Sequence, residues 1–224
     1  MNTSDVSLSK ERVKFVDPNL KSRLGLIALA TDMTSESDLH RQIPVDAASV
    51  YVSRVAFENP TTPKNLQRME PHISKAADLL SPVGPLDAIC YSCTAASVVI
   101  GDDAVTSAIE NKLPKVPVVT PSSAARSAFE ALGIARISVL TPYTIDTSLP
   151  MAEYFAKRGL DIQNFHCLGI EDDRTMAQVD GQSIVSAVLA TDTPKTEGFF
   201  ISCTALARPS KAARAAATAA SVSA

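Results

Sequence analysis

The sequence predicts an α/β fold of two similar lobes, each a parallel β-sheet flanked by helices, with an active site in the cleft between them. Two observations support this. Short apolar runs alternate with helical segments along the chain, and the second half repeats features of the first at a constant offset. The chain has 224 residues, 46% of them hydrophobic and 20% charged, so it is long enough to bury a sizeable core.

Short apolar runs rich in β-branched residues have the composition of buried parallel strands. The predicted strands are Leu24–Ala30, Val50–Phe57, Leu86–Ser92, Val116–Val119, Arg136–Leu140, Leu160–Leu168 and Gly198–Ser202. Segments between them have helix start and stop signals. Each begins close to a proline, and the last two end at Gly133 and Gly159, glycine being common just after a helix. The predicted helices are Thr62–Leu80, Ser122–Leu132 and Ser148–Arg158, with Pro150 in the first turn of the last.

An internal repeat relates the two halves. Ile27–Thr31 and Ile137–Thr141 are two similar strand ends, and their offset is 110 residues. The same offset relates two identical motifs, Ser-Cys-Thr-Ala at Ser92–Ala95 and at Ser202–Ala205. A four-residue identity alone is weak evidence in a chain rich in these residues, but two strand ends sharing one offset indicate duplicated lobes. We therefore predict lobes at residues 1–113 and 114–206, followed by an Ala-rich tail at 207–224.

The two copies of the motif predict a site. Ligands of open parallel sheets bind beyond the carboxyl ends of the strands, so facing lobes would place Cys93 and Cys203 on opposite walls of one cleft. Helix N-termini there would lower the thiol pKa values and attract carboxylates, with Thr94 and Thr204 as hydroxyl donors. Such a pair suits proton abstraction on one face of a carbon and return on the other. It equally suits addition to a carbon–carbon double bond.

Composition excludes several function classes. The net charge is −3 and no basic stripe occurs, so nucleic acid is not an expected partner. No apolar run approaches the ~20 residues needed to cross a bilayer. Met1–Asp17 is polar and lacks the apolar stretch of a secretory signal, so we expect a cytoplasmic protein. Scattered histidines and a single Cys-x-x-Cys, Cys90 to Cys93, argue against a metal site.

Several stretches resemble the aspartate/glutamate racemase superfamily, in the branch of maleate cis-trans isomerase, arylmalonate decarboxylase and the ectoine-utilisation protein EutA. The resemblance runs from about Arg23 to Leu206 and is closest to the EutA-type proteins. It rests on the two cysteine motifs and on Gly25–Asp32, Ala56–Pro63, Cys90–Asp102, Leu140–Tyr143 and Gly169–Arg174. It implies two pseudo-symmetric lobes, chemistry without a cofactor, and a small carboxylate or amino-acid-like substrate.

The resemblance also implies roles for individual residues. Cys93 and Cys203 match the two acid/base or nucleophilic positions, and retention of both favours isomerisation or racemisation over decarboxylation. The residues that match substrate-binding positions, or lie in the matching loops, are Thr31, Asp32, Thr94, Ala95, Pro121, Ser122, Tyr143, Asp173 and Thr204. Ordinary structural roles compete with these assignments. Asp32 and Asp173 would also suit helix caps, and both catalytic cysteines would also suit a buried core.

The tail departs from the resemblance. After Leu206 the family continues through a helix into one more strand, whereas residues 207–224 are Ala-rich and lack large apolar side chains. Alanine favours helix but cannot rebuild a buried strand. We therefore expect the last strand of the first lobe to be missing and its edge to be exposed, which favours a homo-oligomer. Two other hypotheses of function remain: an arylmalonate-type decarboxylase, and a protein that binds a carboxylate without turning it over.

Overall fold

The structure is a computed structural model that describes residues 7–15, 21–80 and 85–206. Its strands form two parallel sheets, with helices packed around them, as the sequence predicts. The first sheet has the order β2-β1-β3-β4 and the second the order β6-β5-β7. The strands are β1 Ser22–Leu29, β2 Ala48–Val55, β3 Ala88–Ser92, β4 Val118–Val119, β5 Arg136–Thr141, β6 Asp161–Cys167 and β7 Gly198–Ile201.

Helices connect the strands and cover the sheets. In the first half they are α1 Ser35–Gln42, α2 Pro63–Gln67, α3 Glu70–Asp78, α4 Thr94–Ile100, α5 Asp102–Glu110 and α6 Pro121–Leu132. In the second half they are α7 Ile145–Ala156, α8 Asp173–Met176 and α9 Gly181–Thr191. None of the helices in the described ranges is long and apolar enough to cross a membrane.

The sheets confirm the internal repeat. β1 lies between β2 and β3, and β5 lies in the same way between β6 and β7. The offset of 110 residues carries the first residue of β3, Ala88, onto the first residue of β7, Gly198. Both cysteine motifs therefore leave equivalent strands at the carboxyl edge of their sheets.

One predicted boundary needs correction. Ile89 pairs with Val118 and Cys90 with Val119, so β4 belongs to the first sheet, and a lobe boundary at 113/114 would separate hydrogen-bonded strands. The chain returns to the same sheet through α4 and α5, as parallel connections do. We expected the first lobe to lack its last strand, which would follow Leu206; within the described residues the first sheet has four strands and the second three, and this expectation stays a prediction. The tail at 207–224 lies outside the described residues.

The helix predictions were correct in place but not always in extent. The predicted helix Thr62–Leu80 is two helices, α2 and α3, with a break before Pro71, whose nitrogen cannot donate the next helical hydrogen bond. α6 agrees with its prediction, since Thr120 caps it in a capping box and Gly133 ends it in the left-handed conformation. α7 begins before Ser148, so that Pro150 lies inside the helix.

One large apolar core crosses both lobes. It contains Ile27 and Ile89 of the first sheet together with Ile137 of the second and Phe155 of α7, all fully buried. Cys93 is part of the same cluster. Continuous packing of this kind holds the carboxyl edges of the two sheets in a defined relation, which is what a site between the lobes requires.

Candidate active site

Cys93 and Cys203 follow equivalent strands but have different backbone conformations. Cys93 is the N-cap residue of α4, with an extended φ of −151° and an exposed fraction of 5%. Cys203 follows β7 with a φ of +89°, in the region that L-residues rarely adopt. Its Sγ accepts a hydrogen bond from the backbone nitrogen of Ala205, at 3.4 Å. Strained residues of this kind persist where the surrounding structure holds them, and they are common at functional sites.

Hydrogen bonds join the segments that carry the two cysteines. Thr204 Oγ1 donates to the carbonyl oxygen of Ser92 at 3.1 Å, linking the neighbour of Cys203 to the neighbour of Cys93. Thr34 Oγ1 donates to the carbonyl oxygen of Thr204 at 2.6 Å. The loop after β1 and both cysteine motifs therefore form one connected assembly. Thr204, expected to bind a carboxylate, uses its hydroxyl to tie the lobes together.

The loop after β1 contributes two further predicted residues. Thr31 Oγ1 donates to Asp173 Oδ2 at 2.6 Å, and both residues are buried. Asp32 accepts hydrogen bonds from the backbone nitrogens of Thr34 and Ser35 and from Ser35 Oγ, at 2.6 to 3.0 Å. Asp32 thus stabilises the first turn of α1, the capping role weighed from the sequence. Thr31 and Asp173, which are far apart in sequence, meet at the site.

Burial dominates the electrostatics of both thiols. It raises the pKa of Cys93 well above its usual range, and charges on Cys203, Asp173 and Asp32 raise it further. Burial likewise raises the pKa of Cys203 to about 12, although a hydrogen bond from Tyr143 opposes this rise. We expected helix N-termini to lower these pKa values. The Ala96 amide does favour the Cys93 thiolate, but desolvation of the charged form is the larger effect.

Thiol alkylation should therefore accelerate with pH. Because only the thiolate reacts and the pKa of Cys203 is raised to about 12, we expect iodoacetamide to modify Cys203 about ten times faster for each pH unit between 7 and 10. Peptide mass spectrometry of timed samples measures this rate. A plateau near pH 7 would show instead that the thiolate already predominates at neutral pH.

Tyr143 lies where the sequence predicts it. It follows β5, is 2% exposed, and lies close enough to Cys203 for each group to shift the pKa of the other. Burial raises its pKa, and the neighbouring charges of Cys203 and Cys93 raise it further, so it stays a neutral donor. A neutral phenol beside a thiol can hold a substrate oxygen in place, or support the thiolate form of Cys203. Thr94 and Ala95, both buried in the first turn of α4, adjoin Cys93 directly.

Pro121 and Ser122 belong to a second cluster. Pro121 begins α6, and the hydroxyl of Ser122 lies 2.7 Å from Ser97 Oγ and 2.9 Å from Asp102 Oδ1. Asp102 also accepts a hydrogen bond from Tyr154, at 2.6 Å. Ser97 is one turn beyond Cys93 along α4, so this cluster supports the helix that follows Cys93. In the described structure it does not contact the sulfur atoms through any hydrogen bond.

Sequence reasoning missed some residues that build the site. Asn59 Oδ1 accepts a hydrogen bond from the Asp173 backbone nitrogen at 3.0 Å, and Met176 Sδ lies 3.9 Å from Cys203 Sγ. Ser35 Oγ lies 2.7 Å from Ser92 Oγ. Asn59 lies in one of the stretches that carry the family resemblance, so that signal was present. Nothing in the sequence pairs Met176 with Cys203, because helix α8 brings them together only in the folded chain.

No metal-binding group is evident in the described parts of the chain, where no three His, Cys, Asp or Glu side chains cluster suitably. Cys90 does not complete a site with Cys93. It lies in β3 and is half-buried, and desolvation raises the pKa of its thiol to about 11.

Comparison with known proteins identifies the family. A family model described as arylmalonate decarboxylase matches residues 40–221. The chain belongs to the arylmalonate decarboxylase family. This family match extends beyond Leu206, where we expected the resemblance to end. Among curated relatives, a maleate isomerase of Geobacillus stearothermophilus is 20% identical over 194 residues, which are 80% of this chain and 76% of the relative.

Solved structures of the family share the fold. A maleate isomerase of Pseudomonas putida S16, solved with maleate, superposes with a TM-score of 0.74 at 20% identity over 84% of this chain and 80% of that protein. A Nocardia farcinica maleate cis-trans isomerase superposes with a TM-score of 0.67 at 21% identity, over 80% of this chain and 76% of that one. That protein is a cysteine-to-serine mutant with a covalently bound succinylcysteine intermediate.

Proposed function

We propose that this chain is a cofactor-independent isomerase or racemase that uses Cys93 and Cys203 on a small carboxylic or amino acid. The observation that carries the proposal is the buried assembly in which equivalent strands of two lobes bring both thiols together. The Thr204–Ser92 hydrogen bond joins the two cysteine motifs, and the charge on each thiolate would raise the pKa of Tyr143. A substrate carbon held between the motifs would meet one thiol on each face.

Two reaction courses fit this arrangement. In the first, one thiolate takes a proton from the substrate carbon, the electron pair is delocalised into the adjacent carboxylate, and the other thiol returns a proton to the opposite face. In the second, a thiolate forms a carbon–sulfur bond to one alkene carbon while the π electron pair moves into the adjacent carboxylate. The remaining single bond rotates, and return of the electron pair re-forms the double bond and expels the thiolate. The succinylcysteine intermediate of the Nocardia relative supports the second course. Tyr143 would hold a substrate oxygen in either case.

A decarboxylase is the second candidate, because the matching family model carries that description. In this reaction the bond to a carboxyl carbon breaks, carbon dioxide leaves, and one thiol supplies the proton to the remaining carbanion. Only one acid is needed for that step. Retention of both Cys93 and Cys203 therefore favours isomerisation, and a decarboxylase would keep its activity without Cys93.

The finer proposal is a role in ectoine or hydroxyectoine utilisation. It is supported by the EutA-like stretches Ala56–Pro63 and Gly169–Arg174, which contact each other beside the site. The Thr61 amide donates to the carbonyl oxygen of Glu171 at 2.7 Å, and the Asp173 amide donates to Asn59. Two loops that resemble the same proteins are thus hydrogen-bonded to each other next to Asp173, which supports the proposal that they contact the substrate.

Proton NMR in deuterated water tests the proposal. The protein is incubated with ectoine, hydroxyectoine, maleate or a panel of amino acids, and carbon-bound proton signals are followed. A racemase would replace the proton on the reacting carbon by deuterium, and a cis-trans isomerase would convert maleate to fumarate. Carbon dioxide release would support the decarboxylase. If no compound exchanges, isomerises or is consumed, the enzymatic proposal is wrong and a binding role remains.

A further inference from the structure

Asp173 is a buried acidic side chain with one carboxylate oxygen left for a ligand. Its exposed fraction is 4%, Oδ2 accepts the hydrogen bond from Thr31, and Oδ1 receives none from the described residues. This oxygen keeps some contact with solvent, since it is not among the fully buried atoms without a partner. It is therefore accessible to a ligand that donates a hydrogen bond or carries a positive charge, and buried charges are normally paired.

The position of Asp173 ties it to the reacting groups. It is the first residue of α8, and Met176 at the end of the same short helix lies against Cys203. Thr31, its hydrogen-bond donor, belongs to the loop whose Thr34 contacts Thr204. The negative charge of Asp173 also raises the pKa of both Cys93 and Cys203. A ligand between the thiols would therefore feel the Asp173 carboxylate.

The other charged groups near the cysteines do not neutralise the negative charge of Asp173. Asp32 is a second buried carboxylate, and its charge acts on both Cys93 and Asp173. Arg174, the next residue of α8, is a basic group whose charge lowers the pKa of Asp173, whereas burial and the charges of Asp32 and Asp172 raise it. Arg54 of β2 donates to the carbonyl oxygens of Leu29 and Asp32 and pairs with Glu36. Arg54 is thus engaged away from the Asp173 carboxylate. The surroundings of the thiols are negative before any substrate enters.

We propose that Asp173 is a specificity-determining residue that selects a substrate with a cationic nitrogen, an ammonium or amidinium beside its carboxylate, over a plain dicarboxylate. The inference rests on the proposed function and narrows its substrate class. A cationic N–H group would supply the donor that Oδ1 lacks and would offset the charges of Asp173 and Asp32. A second carboxylate at the same place would meet a like charge in a buried setting, which is costly.

Binding of a cation there also bears on the chemistry. The raised thiol pKa values reflect burial together with the nearby carboxylates. A positive nitrogen within a few ångströms favours the thiolate form, as opposite charges do for any acid. The proposed substrate would thus help to generate the base that acts on it, whereas a dicarboxylate would oppose that ionisation.

A purely structural role for Asp173 predicts different behaviour. Acidic residues stabilise the first turn of a helix, but Asp172 already caps α8 by accepting from the Thr175 nitrogen at 3.0 Å. Asp173→Asn keeps the shape of the side chain and an oxygen for Thr31 while it removes the charge. Asp172→Asn is the matched control, because asparagine also caps helices well and the same charge is removed at the adjacent position.

The test uses probe pairs that differ only by an ammonium group: succinate with aspartate, glutarate with glutamate, and propionate with alanine. Apparent Kd values come from ligand-dependent shifts of Tm for the wild type, Asp173→Asn and Asp172→Asn. We expect the wild type to prefer the ammonium member in at least one pair. Asp173→Asn should lower that preference at least about tenfold, a change of about 1.4 kcal/mol, and Asp172→Asn should keep it.

The outcomes separate the two proposals. Preference of the wild type for the plain acids, equal loss in both variants, an unchanged preference in Asp173→Asn, or no binding of any pair would each overturn the role of Asp173. The exchange experiment in deuterated water is independent of this comparison. A protein that isomerises maleate efficiently would satisfy the proposed function while it refutes the cation-selective site.

Discussion

Replacing either Cys93 or Cys203 by alanine is expected to abolish turnover, lowering the rate of proton exchange or isomerisation by about 10²–10⁴-fold or more. Each thiol serves one face of the substrate carbon, so neither can take over the role of the other. The decisive measurement is the initial rate by NMR in deuterated water, compared with wild type at the same pH. Unfolding curves of each variant establish that the fold is retained.

The chain offers matched controls for this experiment. Cys90 and Cys167 are also free and half-buried, but Cys90 lies within β3 and Cys167 ends β6. Cys90→Ala and Cys167→Ala remove the same atom, one from each sheet, and should keep most of the activity. Survival of Cys93→Ala together with carbon dioxide release would favour the decarboxylase. Activity in both catalytic variants would refute cysteine chemistry altogether.

Phe155→Ala is expected to lower the free energy of unfolding by about 3–5 kcal/mol, since it removes a fully buried aromatic side chain and leaves a cavity. Phe155 has no exposed surface and packs edge-on against Phe200 of β7, with ring centroids 4.9 Å apart. It packs in the same way against Tyr154, at 5.3 Å. Urea unfolding followed by circular dichroism gives the free energy of each variant.

Phe15→Ala is the control for the core substitution. Phe15 is 93% exposed, so the same truncation should change the unfolding free energy by less than about 0.5 kcal/mol. Because Phe200 precedes the Cys203 motif, Phe155→Ala should also reduce activity through displacement of β7. Equal losses of stability in the two variants would show that Phe155 is not packed as described.

Much of the fold is readable from the sequence, because strands and their order depend on local signals. Apolar runs place β1 and β5, and the offset between Ser92 and Ser202 correctly predicts equivalent strands before the two cysteines. Prolines and glycines mark helix ends less reliably. Pro150 lies inside α7, although local rules place proline in the first turn because its nitrogen cannot donate a helical hydrogen bond. Contacts around the helix compensate for that missing hydrogen bond.

The site is readable in part. The repeat and the family resemblance select Cys93, Cys203 and Tyr143, and in the structure burial and the charges of both cysteines raise the pKa of Tyr143. The Thr31–Asp173 hydrogen bond joins residues 142 positions apart and has no local signal. Ser122 stays a predicted substrate-binding residue, and the structure adds a contact with Ser97 of α4 that no local signal indicates.

The sequence by itself determined the α/β class, the duplication and the two cysteine motifs, because periodicity, residue type and a constant offset are properties of the chain alone. Only the tertiary structure decided the sheet to which β4 belongs, the positive φ of Cys203 and the acidic surroundings of the thiols. It also reversed the expected direction of the thiol pKa shifts. The desolvation of a thiol depends on all the atoms packed around it, and this packing is complete only when the two lobes are in contact.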